Sequence, residues 1–282
     1  MRIRKPAVAG LFYEGTPESL KKRLEWCFKH KLGPGKLPKV NPQGSRRIVG
    51  LIVPHAGYMY SGPVAANAYY ALALDGIPEI FIILGPNHQG VGSLIATCES
   101  EVWQTPLGDV LVDTRLAKEI VKESGIVDID DEAHKYEHSI EVQLPFLQYI
   151  YGSNFKIVPI AMMLQDMESS RILGNALAKV LKEFNAVIIA SSDFTHYEPH
   201  DVAKSKDMKA IEKILRLDPE GLFDVVKRNN ITMCGVGPVA TMLTAAKLLG
   251  ASVTQLLRYA TSGDITGDKA QVVGYGAIAV LK

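Results

Sequence analysis

Several runs in this chain are apolar without alternation, and they limit its fold more than any other feature. The clearest are GLIV within Ile48–Val53, FIIL within Glu79–Leu84, and Ala186–Ala190. A strand with one wet face alternates apolar and polar residues, whereas an unbroken run suits a strand covered on both faces. Helical patterns separate the runs, near Gly62–Leu74, Thr114–Ser124, Glu168–Phe184, Asp201–Leu215, Pro219–Asn229 and Gly235–Leu249. A further strand is expected over Phe155–Ala161, and SVTQLLRYA and VVGYGAIAVL read as closing strands. Strands alternating with helices predict an α/β fold: a three-layer αβα sandwich with a mostly parallel or mixed central sheet. The Gly- and Pro-rich stretch 31–47 reads as an exposed loop, so residues 1–282 are expected to form a single domain.

The same runs are too short for the roughly 20 residues of a membrane span. A net charge of +1 gives no reason to expect nucleic acid or an anionic membrane as partner. The three cysteines, Cys27, Cys98 and Cys234, are far apart and form no CxxC pair. Reduced thiols and a cytoplasmic location are therefore expected. Pro6 and Gly10 break the short apolar part of the basic N-terminus, which does not read as a signal peptide.

Chemistry gathers where the apolar runs end. IVGLIVPHAGYMYSG delivers His55 to a Gly/Pro turn, IFIILGPNHQG delivers His88, and AVIIASSDFTHYEPH delivers Asp193 and His196. Ligands of open α/β sheets bind outside the carboxyl ends of the strands. One rim of one sheet is thus expected to hold all three histidines. Neutral imidazole is a common metal ligand and also a general base. Two histidines with one anionic donor suit a divalent metal, and Asp193, Glu141 and Cys234 are the candidate anions.

Cys234 is followed by Gly235 and Gly237 and then by an apolar helix, where free N–H groups favour a thiolate; the alternative is a small buried core thiol. Cys27 and Cys98 read as structural. In DFTHY, Asp193 can orient His196, or His196 can act as acid/base beside a metal. In EHSIE, His138 and Glu141 are three apart and share a face if the segment is helical; the readings open are a second metal half-site, a binding pair that supports the ligands, or an exposed polar face. EHSIEVQLPFLQYIY is expected to be helical despite Pro145. In TSGDITGDK, Asp264 is a candidate substrate contact, although a plain turn between closing strands explains the segment as well.

RKPAVAGLFY, VPHAGYMYSGPVAA, LGPNHQG, EHSIEVQLPFL, SSDFTHY, CGVGPVATML and SGDITGDKAQVVGYG, in this order, resemble the Memo family over nearly the whole chain. The resemblance implies a fold like that of the class III extradiol dioxygenases of the LigB type, which hold non-haem Fe(II) with two histidines and a glutamate. By position it implies His55 and His88 as metal ligands and His196 as acid/base. Cys234 stands where those dioxygenases have glutamate. A thiolate in that place shifts preference toward copper, zinc or thiolate-bound iron. Fe(II) or Cu is therefore the expected cofactor, with Zn as a third metal, and metal-dependent redox chemistry the expected activity.

The alternatives are a peptide-binding module on a retired enzyme site and a hydrolase using zinc-bound water or Cys234. Eukaryotic Memo proteins are associated with motility signalling and phosphotyrosine peptides, so a small-molecule or peptide ligand is expected. Prokaryotic relatives are linked with an AMMECR-type protein and a radical-SAM protein, and members of the fold often self-associate as homo-oligomers.

Overall fold

A computed structural model describes residues 2–282. Its centre is four parallel strands in the spatial order Lys156–Met162, Ile80–Pro86, Ala186–Ser191 and Ile48–Val53. Beyond Ile48–Val53 the sheet turns antiparallel through Val272–Leu281, which also pairs with Val253–Thr261 and the short His196–Glu198. Beyond Lys156–Met162 lie Gly108–Val112, Val102–Thr105 and the N-terminal Ile3–Arg4. The result is a mixed α/β fold with a large central sheet and helices on both faces.

The unbroken apolar runs are explained by this arrangement. Successive strand side chains point to opposite faces. Phe81, Ile83, Val187 and Ile189 enter one core, and Ile82, Leu84, Ile188 and Ala190 the other. The first core is closed by helices Pro17–Lys29, Tyr58–Leu74 and Leu144–Tyr151, through Leu20, Leu24, Val64, Phe146 and Leu147. Helices Thr114–Ser124, Met167–Leu181, His200–Leu215, Pro219–Arg228 and Val236–Leu248 close the second. Among the described residues no helix is long and apolar enough to cross a membrane.

Two local expectations need correction. The helix expected from Gly62 begins at Tyr58 and carries Pro63 in its interior. Pro63 costs one backbone hydrogen bond, to the carbonyl of exposed Met59. EHSIEVQLPFLQYIY is helical only from Leu144, after a single 3-10 turn over Glu141–Gln143. Ahead of that turn Glu137 folds onto its own loop, where its Oε1 accepts the backbone N–H groups of His138 and Ser139 at 2.9 and 2.8 Å. His138 and Glu141 therefore share no helical face.

Strand register also fixes where a side chain is forbidden. A Cβ at Gly85 would stand 2.4 Å from Ser139 Oγ and 2.9 Å from Ile140 Cγ1. The Ser139 hydroxyl donates to the Pro86 carbonyl at 2.9 Å and ties the 137–140 loop to the strand end. Gly85→Ala is expected to lower stability by about 1–3 kcal/mol, the usual cost of overpacking. A denaturant midpoint equal to that of the native chain would contradict this.

Candidate metal centre

The carboxyl ends of the four parallel strands lie side by side, with Val53 paired to Ser191 and Pro86 to Met162. Each strand delivers one loop to this edge. The first brings His55, whose backbone N–H donates to Asp193 Oδ1 at 2.8 Å. Its Nδ1 lies 2.9 Å from Ser191 Oγ, and its Nε2 lies 3.2 Å from Cys234 Sγ. The second strand brings His88, with Nδ1 2.9 Å from Glu137 Oε1. The His88 ring stacks on His138, with centroids 4.6 Å apart, and His55 stands edge-on to both at 5.2 and 5.5 Å. One nitrogen of each of these three rings lies within 4.8 Å of the others.

Burial, with the neighbouring histidines, holds His55 well below the usual imidazole range. Burial also takes His138 down to about 4, against the pull of Glu137. Both rings are therefore neutral at neutral pH and offer lone pairs. Burial alone would raise Glu137, but the His88 hydrogen bond and the histidines around it bring the carboxyl to about 2.

Cys234 reaches the edge two residues before the helix that begins at Val236. Gly235 is required beside it, because a Cβ there would stand 2.5 Å from the Ser191 carbonyl. Gln165 braces the turn, donating to the Cys234 carbonyl and accepting from Gly237 N–H, both at 2.9 Å. The helix N-terminus alone would favour a thiolate. Instead burial, followed by the Asp193 carboxylate, pushes the Cys234 thiol up. Asp193 is itself buried and lifted to about 6, although it accepts the His55 N–H.

His196 opens the short strand His196–Glu198, its Nδ1 2.9 Å from the Thr232 carbonyl and its backbone N–H on Thr232 Oγ1. Buried Asp207 holds the loop from behind, accepting from Thr195 N–H at 3.0 Å and from the Tyr259 hydroxyl at 2.7 Å.

Two of the sequence candidates have other partners. Glu141 is fully buried and accepts from Arg4, from the N–H groups of Ala7 and Val8, and from the Tyr13 hydroxyl. Asp264 accepts the Thr261 N–H at 2.8 Å within its own turn. In contrast, His138 joins His55 and His88, and Glu137, which was not singled out in the sequence, binds two of the loops. Its one available signal was a carboxylate beside His138 in YEHSIE.

Residues 4–279 match the family described as Memo-like protein. A MEMO1 family protein of Methanopyrus kandleri is 54% identical over 277 residues, covering 98% of each chain. Another, from Methanothermobacter thermautotrophicus, is 52% identical over 279 residues, 98% of this chain and 100% of that protein. Among solved structures, an uncharacterized protein from Escherichia coli K12 is similar with a TM-score of 0.58 and 14% identity. That match covers 82% of this chain and 99% of the other, and it shows likeness of fold alone.

Proposed function

The chain belongs to the Memo-like protein family, and from that premise we propose that its histidine cluster is a mononuclear metal centre serving redox chemistry. The observation that carries this reading is the convergence of His55, His88 and His138 nitrogens within 4.8 Å, with Cys234 Sγ 3.2 Å from His55 Nε2. The donor set fits a metal. Neutral His55 and His138 offer lone pairs, which attract a cation. His55 and His88 would hold the ion, with His138 as a third nitrogen donor and Cys234 as the anionic one once its proton has left.

Imidazole with thiolate suits iron, copper or zinc. Bound iron or copper would supply one-electron and oxygen chemistry of the kind associated with LigB-type dioxygenases. The protein's own part is orientation and proton handling. Asp193 fixes the His55 backbone, and His196, held at Nδ1 by the Thr232 carbonyl, would present its Nε2 as acid/base at the edge of the site.

Anaerobic loading with Fe(II), Cu(I) or Zn(II), followed by elemental analysis, is expected to leave about one tightly held equivalent. No retained metal under any of the three conditions would overturn the reading. Affinity is also expected to rise with pH. The metal must displace the raised Cys234 thiol proton, whereas His55 and His138 carry no proton to lose near neutrality. Proton release measured in weakly buffered solution should approach one per metal, and Cys234→Ala should abolish it.

A further inference from the structure

The three rings of the cluster differ in what lies behind them, and hydrogen counting decides what each partner can do. Ser191 Oγ carries a single hydrogen. It donates to the Ser139 carbonyl at 2.6 Å, an atom that can only accept. Toward its other neighbours the same oxygen is therefore an acceptor. One of these is the Gln143 amide, whose Nε2 donates to it at 2.8 Å. The other is His55 Nδ1 at 2.9 Å, which must accordingly carry the hydrogen. Gln143 is fixed in its turn. Its Nε2 also donates to the Pro54 carbonyl, and its Oε1 accepts from the Tyr69 hydroxyl.

Glu137 gives the same result for the second ring. Its Oε2 accepts the His88 backbone N–H, and its Oε1 accepts those of His138 and Ser139. Backbone N–H groups cannot accept, so both carboxylate oxygens face donors. The Oε1 that also meets His88 Nδ1 at 2.9 Å receives a hydrogen from that nitrogen. His138 Nδ1 lies 3.4 Å from the same oxygen, which attracts a proton to that side of the ring as well.

We infer that Ser191 and Glu137 are positioning residues that set the tautomer of the cluster, holding hydrogen on Nδ1 of His55 and His88 so that each Nε2 stands bare toward the site. A neutral imidazole has one N–H and one lone pair, and the partner of one nitrogen settles the state of the other. The arrangement matters because an isolated histidine side chain in water favours the opposite tautomer, with hydrogen on Nε2. Left to that preference, each ring would have to shift its proton before binding a cation through Nε2. The inference rests on the metal-centre reading only for its purpose, since the hydrogen-bond logic holds in the metal-free chain.

The test is the ring nitrogen spectrum of metal-free, histidine-labelled protein at neutral pH, where long-range nitrogen–proton correlations report which nitrogen bears hydrogen. His55 and His88 are expected in the Nδ1–H form. Ser191→Ala should convert His55 to a mixture and leave His88 unchanged. Glu137→Ala, which admits water behind partly exposed His88, should do the reverse. Each variant controls for the other, because loss of fold would move both rings together. Titrated with Zn(II), each variant is expected to bind about 10–100-fold more weakly than the native chain. A native His55 or His88 with hydrogen on Nε2 overturns the inference, and this result needs no variant to fold. Failure of the metal-centre reading looks different: the native chain would bind no Zn(II), whatever its ring spectra show.

Discussion

Glu141→Ala is expected to cost about 3–5 kcal/mol of stability, the scale for breaking one side of a buried ion pair. Glu141 and Arg4 are both buried, and they meet at 2.7 Å. The carboxylate also takes the N–H groups of Ala7 and Val8 and the Tyr13 hydroxyl. Removing it leaves a buried guanidinium and three other donors without this acceptor, and each orphaned group adds its own desolvation cost. Arg4 would keep its bonds to the His134 and Glu137 carbonyls, a longer one to the Lys5 carbonyl, and its place over the Trp103 ring. The effect should appear as a fall in urea midpoint with little change in slope. A double change that replaces both charges with apolar residues should be milder than the single one. A single variant as stable as the native chain would show that the pair is not structural.

This ion pair also marks the limit of what the sequence made legible. The central strands could be read because burial on both faces leaves a local mark, an apolar residue at every position. The strand-end histidines could be read for the same reason, since a Gly/Pro turn must follow a strand that stops abruptly. Arg4 and Glu141 are 137 residues apart, and no local pattern links an N-terminal arginine to a carboxylate in EHSIE. Helical spacing pairs His138 with Glu141, but the regular helix starts only at Leu144, and the segment before it is a loop folded around the Glu137 carboxylate. Glu137 itself was passed over because its role is to accept from three loop positions at once, a property of the folded chain. The expected Cys234 thiolate failed on magnitude: the helix end is there, but burial and the neighbouring Asp193 outweigh it.

Of the candidate metal donors, His55 is expected to matter most, and His55→Ala should weaken Zn(II) or Fe(II) binding by more than about 100-fold, beyond the range for residues that only support a ligand. The reason is its central place. The ring contacts His88 and His138 edge-on, and its Nε2 is the one beside Cys234 Sγ. Losing it removes the nitrogen donor that stands beside the sulfur donor. The fold should survive, because the contact that ties this loop to DFTHY is the backbone N–H of residue 55 on Asp193, which alanine keeps. Cys234→Ala should behave differently. The remaining imidazoles would still bind Zn(II), more weakly, while the charge-transfer absorption of a thiolate bound to Co(II) would vanish. If His55→Ala retained metal at native affinity with an unchanged Co(II) spectrum, the ion would lie elsewhere on the chain.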